Sequence, residues 1–318
     1  MNPTLVEVVR SGFVESVHRG SLLITGPGGE PVLDLGETGV PVYPRSSNKP
    51  LQALGMLRAG LEVDDEDLAI ICASHNGEPE HVRRVTALLL RYGLSEPDLR
   101  CPADYPLHGP SRIAAIRAGE PDRLAMNCSG KHAGMLVTCV QRGWSTEDYL
   151  SPDHKLQRII GEAVEDVIGE EIAHTGIDGC GAPLFAFSLT ALARSFSRLV
   201  TSADEAEQRI ASCMRANPWL IGGTGREDTV LMLAVEGLLA KGGAEGVHAI
   251  ALPDGSAVTV KIDDGGQRVR EAVLVTALRR LGHTPASEAA ASVLDGLARG
   301  AGWVLGGGRE VGGFRVTI

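Results

Sequence analysis

The sequence predicts a mixed α+β fold in which a sheet assembled from both ends of the chain accompanies a mainly helical middle. Three observations carry this. Short alternating strand patterns fill the first 40 residues, helix-length patterns dominate from about residue 46 to 240, and strand patterns return near residue 247. A chain of 318 residues is long enough to bury a sizeable core. It reads as a single catalytic unit with a sheet subdomain, 1–45 and 241–318, and a mainly helical subdomain, 46–240.

The first strands are expected at 5–9, 13–17 and 21–24. The turn Gly26-Pro27-Gly28-Gly29 leads into a fourth at 32–35. Helical patterns follow at 79–92, closing on Gly93, at 131–142, and at 153–168, closing on Gly169. Residues 183–199 have helical length and pattern, and 203–216 stops before Pro218. Strands at 247–252 and 257–262, joined by Pro253-Asp254-Gly255, read as a hairpin. A helix at 269–281 and a strand at 313–318 complete the pattern.

Composition narrows the function. Apolar residues make up 43% and charged residues 22% of the chain, as in folded globular proteins, and the net charge is −10. No run of Lys or Arg forms the basic stripe that a phosphate backbone or anionic membrane requires, so neither is an expected partner. No window approaches a membrane span and the N-terminus lacks signal-peptide features, so a cytoplasmic protein is expected. The six cysteines include no Cys-x-x-Cys pair and read as reduced thiols. Only five lysines stand among 30 basic residues: 49, 131, 155, 241 and 261. Arg serves at most surfaces, whereas Lys can shed its proton to become a base or metal ligand. Codon bias explains the same scarcity.

Several motifs carry polar side chains of catalytic kinds. In Arg45-Ser46-Ser47-Asn48-Lys49, i,i+3 spacing lets the Lys49 amine reach Ser46, and Arg45 supplies a cation that favours the neutral amine. Helix capping by Ser46 or Ser47 is the plainer alternative, and Pro50 conflicts with a helical Lys49. The stretch Cys72-Ala73-Ser74-His75-Asn76-Gly77-Glu78-Pro79 offers a second hydroxyl, Ser74. Asn76 is a candidate substrate contact there, and Glu78 could hold an ammonium group. A turn followed by an acidic helix start reads equally well. Asn127-Cys128-Ser129-Gly130-Lys131-His132 gathers thiol, amine and imidazole, although Cys-x-x-Lys is not a standard zinc spacing. Gly176-Ile177-Asp178-Gly179-Cys180-Gly181 sets an acid and a thiol in a glycine loop, or is a plain tight turn. Lys261 precedes Asp263-Asp264 on a strand, where a solvated edge lysine is the usual explanation. Gly222-Gly223-Thr224-Gly225-Arg226 lacks the Lys-Ser/Thr ending of a phosphate-binding loop.

Together, Arg45–Lys49, Ala73–His81, Asn127–Gly134, Gly176–Pro183 and Lys261–Gly265 resemble the asparaginase II family, the rhizobial or thermolabile type of L-asparaginase. The resemblance implies a serine β-lactamase- and glutaminase-like fold and a homodimer. It also implies hydrolysis of L-asparagine to L-aspartate and ammonia through two Ser-Lys pairs, Ser46 with Lys49 and Ser74 with Lys261. Cys128, Lys131 and Cys180 would hold zinc, completed by water and aiding affinity. Arg45, His132 and Asp178 would contact substrate or organise the site. Rival expectations are a glutaminase, a β-lactam-acting enzyme, and a catalytically inactive amino-acid or zinc sensor. The second of these lacks the Lys-Thr-Gly and Ser-Asp-Asn signatures.

Overall fold

Eight strands pair antiparallel in the order β10-β11-β1-β2-β9-β8-β7, with β3 on β2. They are β1 (Thr4–Arg10), β2 (Phe13–Thr25), β3 (Pro31–Leu35), β7 (Leu239–Gly242), β8 (Val247–Ala251), β9 (Ala257–Ile262), β10 (Val304–Gly306) and β11 (Arg309–Val316). The sheet is therefore built from both ends of the chain, and the fold is α+β. This computed structural model describes residues 1–299 and 304–318. Two short strands intervene in sequence, β4 (Pro41–Val42) and β5 (His174–Ile177), and β6 (Pro183–Ser188) pairs with both.

Two units make up the chain. One comprises Met1–Ser47, Phe187–Thr201 and Val230–Ile318; the other comprises Asn48–Ala186 and Ser202–Thr229. In the first, β1 lies between β2 and β11, Val8 facing both Ser16 and Phe314. The long strand β2 merges the two strands expected at 13–17 and 21–24. Gly20 makes this possible, because a Cβ there would lie 2.2 Å from the Lys261 carbonyl oxygen. Helix Leu189–Thr201 covers this sheet, and its first carbonyl accepts the Thr259 hydroxyl at 3.1 Å. The hairpin expected from Pro253-Asp254-Gly255 is present as β8 and β9.

The second unit is mainly helical. Helix Lys49–Arg58 is buried along eight of its ten residues and packs on helix Lys155–Ile168 through Gly55, where a Cβ would approach Ile160 Cα to 2.7 Å. Helix Asp65–Cys72 packs on helix Ser129–Arg142 through Gly130 and Gly134. Helix Pro79–Arg91 ends near Gly93, as its sequence pattern predicts.

Two sequence expectations need correction. Residues 183–199 do not form one helix: β6 comes first, all six of its residues buried, and the helix begins at Leu189. A short, fully buried apolar run carries no period that separates strand from helix. The helical signal extended to 240 also hid β7, a four-residue edge strand. The conflict at Pro50 resolves simply. Lys49 opens the α-helix, so Pro50 falls in the first turn, where its missing N–H has no partner to lose. Among the described residues, no helix is long and apolar enough to cross a membrane.

Candidate active site

Lys49 is the centre of the second unit's polar interior. Its side chain is 1% exposed. Its Nζ lies 2.6 Å from the Ala73 carbonyl oxygen, 3.0 Å from Ser74 Oγ and 3.4 Å from the Asn127 carbonyl oxygen. A neutral amine has two N–H groups and one lone pair. Two carbonyls can receive the N–H groups while a serine hydroxyl donates to the lone pair, so this geometry accommodates a lysine acting as base.

The segment holding Ser74 is extended and anchored from both sides. Its N–H donates to the Ile221 carbonyl at 3.0 Å, and the Asn76 N–H donates to Gly222 at 2.8 Å. His75 is fully buried, accepts the Gly77 N–H at Nδ1, and places Nε2 2.9 Å from Ser129 Oγ. Burial, more than the neighbouring basic side chains, holds His75 well below the ordinary histidine range. The ring is neutral, with its proton on Nε2. His75 stacks on His81, which stacks on Trp219.

A second cluster in the same unit joins Cys128, Lys131, His132, Asp178 and Cys180. Lys131 Nζ lies 3.1 Å from Cys180 Sγ, and Asp178 Oδ2 lies 3.7 Å from the same sulfur. A hydrogen bond from the Cys128 thiol, then the charge of Lys131, holds Cys180 far below the ordinary thiol range despite burial. Burial disfavours the Lys131 ammonium, but Cys180, Cys128 and Asp178 outweigh it and hold this amine above the usual lysine range. Both shifts favour the ammonium–thiolate form of the pair. His132 Nδ1 lies 2.7 Å from the Tyr149 hydroxyl, which itself accepts the Arg100 N–H. His132 Nε2 is buried without a well-formed hydrogen bond, within electrostatic reach of the Cys180 thiolate.

That donor set fits a thiophilic divalent cation. Two buried sulfurs and a buried amine converge, and an orphaned imidazole nitrogen stands by. Among the described residues no trio of His, Cys, Asp or Glu side chains is arranged for a metal, so any such site depends on the lysine. Lys131 must release its proton to bind, which ties binding to pH.

A profile of the L-asparaginase II family matches residues 6–315. The chain belongs to this family. Membership places it among the amidohydrolases. A search of curated proteins found no match. Among solved structures, the chain is similar to a β-lactamase from Mycobacterium bovis, at 15% identity over 82% of this chain and 94% of the other, with a TM-score of 0.48. It is also similar to EstCE1, a hydrolase with promiscuous acyltransferase activity, at 12% identity over 83% and 93% of the two chains, with a TM-score of 0.44. A third is a mutant of simvastatin synthase from Aspergillus terreus, at 12% identity over 87% and 91%, with a TM-score of 0.35.

The remaining residues expected in a family site fall as follows. Ser46 is half-buried in a 3-10 turn, Arg45–Asn48, that runs into helix Lys49–Arg58. Arg45 adopts a left-handed backbone, φ +52°, a strained choice for a residue with a side chain. The turn is tied down within the first unit. Ser47 Oγ donates to the Lys241 carbonyl at 2.8 Å, and Gly243 leaves room that a Cβ would fill 2.4 Å from the Pro44 carbonyl oxygen. Lys261 Nζ donates to the carbonyls of Glu245 and Ile262, whereas the amine on Ser74 is that of Lys49. Asn76 and Glu78 bond to the Thr224 segment.

Motif reading missed three residues near these groups. Lys241 is fully buried on edge strand β7, and Thr224 and Arg226 bond to the Ser74–Glu78 segment. The scarcity of lysine was the available signal for Lys241. For Thr224 and Arg226 the glycine density was visible, but its bonding partners lie some 150 positions away.

Proposed function

We propose that this chain is an L-asparaginase that hydrolyses the side-chain amide of L-asparagine to L-aspartate and ammonia. The observation that carries the reading is the buried Lys49 amine, set between two carbonyls and a serine hydroxyl. Neutral Lys49 takes the proton of the Ser74 hydroxyl at its Nζ as Ser74 in turn takes that of Ser46, and Ser46 attacks the amide carbon. Backbone N–H groups hold the oxyanion. The lysine ammonium then returns its proton to the leaving nitrogen, with the Ser74 hydroxyl in reach to relay it. Water cleaves the acyl-serine and releases aspartate. Asp178 accepts the substrate ammonium, Arg45 faces the α-carboxylate, and His132 helps orient the ligand.

Cys128, Lys131 and Cys180 would hold zinc, which would supply positive charge for substrate affinity and positioning. The chain is proposed to work as a homodimer. The deciding assay measures ammonia release from asparagine beside glutamine. No release from either amide would end the reading. Ser46→Ala should abolish turnover, and an undiminished rate would move the nucleophile elsewhere. Chelation should raise KM for asparagine at little cost to kcat; complete loss at saturating substrate would contradict the affinity role.

A further inference from the structure

The glycine-dense segment Gly222–Arg226 has no role in the reaction just described, yet it is bonded along its length to the Ser74–Glu78 segment. Main chain meets main chain first: Ser74 N–H donates to Ile221 and Asn76 N–H to Gly222. Side chains then cross in both directions. Arg226 Nη1 donates to the Ser74 carbonyl at 3.2 Å and to Asn76 Oδ1 at 3.3 Å. Asn76 Nδ2 donates to the Thr224 carbonyl at 3.0 Å. Thr224 donates both its N–H, at 2.7 Å, and its hydroxyl, at 2.8 Å, to the Glu78 carboxylate.

Gly223 shows how closely the two segments approach. Its φ is +107°, and a Cβ would lie 2.5 Å from Glu78 Oε1 and 2.8 Å from Asn76 Cβ. Glu78 itself is 7% exposed, and the hydrogen bonds from Thr224 and Asn76 satisfy its oxygens. A substrate ammonium would have to displace a backbone N–H and a hydroxyl to reach it, which is costly in a buried site. Meanwhile the main chain held by Arg226 belongs to the serine whose hydroxyl meets Lys49.

We propose that Thr224 and Arg226 are positioning residues that fix the Ser74 main chain, and that Asn76 and Glu78 act through them instead of contacting substrate. The proposal rests on the reading of Ser74 and Lys49 given above. A displacement near 1 Å at a reacting group costs on the order of a hundredfold in rate, so a clamp at this point is felt in kcat.

The test compares Thr224→Val, Thr224→Ser, Arg226→Gln and Glu78→Gln in steady-state amide hydrolysis and in amide hydrogen exchange of residues 73–77. Thr224→Val should lower kcat about tenfold, the effect of one hydrogen bond to a charged group, with KM within about twofold. Thr224→Ser, which keeps the hydroxyl, should restore most of the rate. Exchange at Ser74 and Asn76 should accelerate in Thr224→Val and Arg226→Gln. A tenfold rise in KM for Glu78→Gln at constant kcat would make Glu78 a substrate contact and overturn the proposal. Unchanged exchange in both Thr224→Val and Arg226→Gln would overturn it too. If the unmodified chain released ammonia from neither asparagine nor glutamine, the asparaginase reading would fail, while exchange would still report on the clamp.

Discussion

Lys49 owes its chemistry to a few atoms. With two carbonyl oxygens and Ser74 Oγ around Nζ, its amine can act as a base without losing any contact. Lys49→Met keeps the volume and removes the base, so kcat should fall by roughly 10²–10⁴ with the fold retained. Steady-state rates beside a thermal melt check this, and a variant within about twofold of the parent rate would remove Lys49 from the mechanism. His75 offers a separate test through pH. Its folded-state value is depressed below 6.5, so below that pH the unfolded chain binds the extra proton. Its contribution to stability is complete above about pH 6.5 and is lost as pH falls, with a slope approaching ~1.4 kcal/mol per pH unit. Urea midpoints between pH 7 and 5 should therefore fall less steeply in His75→Gln. Much at this scale was legible in sequence. The segments that bring Lys49 to Ser74 and Lys131 to Cys180 stood out by the density of their polar side chains, whereas no hydrogen bond joins Ser46 to either cluster among the described residues. Which hydroxyl meets which amine was not legible, because Lys49 and Ser74 are brought together by packing of segments 25 positions apart.

At the scale of elements, glycines set the distances on which the site depends. In helix Ser129–Arg142, a Cβ at Gly130 would lie 2.1 Å from the Ile70 carbonyl oxygen, and one at Gly134 would lie 2.8 Å from Ile71 Cγ1. Helix propensity alone makes Gly→Ala favourable by about 1 kcal/mol. Here the sign reverses. Gly130→Ala should destabilise by roughly 1–3 kcal/mol through overpacking against backbone, and it should disturb the adjacent Lys131–Cys180 pair. Urea denaturation reads the first effect, and an unchanged or higher midpoint would refute it. Amphipathic helices and the β8–β9 hairpin were readable because period and turn residues are local signals. Strand β6 was not, since Pro183–Ser188 is buried on every residue and shows no alternation. Strand β7 was too short, at four residues, to interrupt the helical signal around it.

For the whole molecule, charge and topology matter most. A net charge of −10 without a basic stripe predicts no retention on heparin at about 0.1 M salt, where screening still leaves long-range repulsion. Strong retention would point to a localised cationic surface and would reopen polyanions as partners. The sheet's origin in both ends of the chain was visible from the position of strand patterns. Its order was not, because pairing partners such as β1 and β11 leave no mark on either strand's own pattern.

That pairing has a cost in time. Glu7 on β1 and Arg315 on β11 bond across 308 positions of sequence. At synthesis rates of roughly 5–20 residues per second, β1 leaves the ribosome on the order of tens of seconds before its second neighbour exists. Leu5, Val6 and Val8, all fully buried at the end, spend that interval beside an open strand edge. The hazard of this topology is therefore edge-to-edge pairing between incomplete chains, which grows with the number of copies made at once and ends only when the last strand arrives.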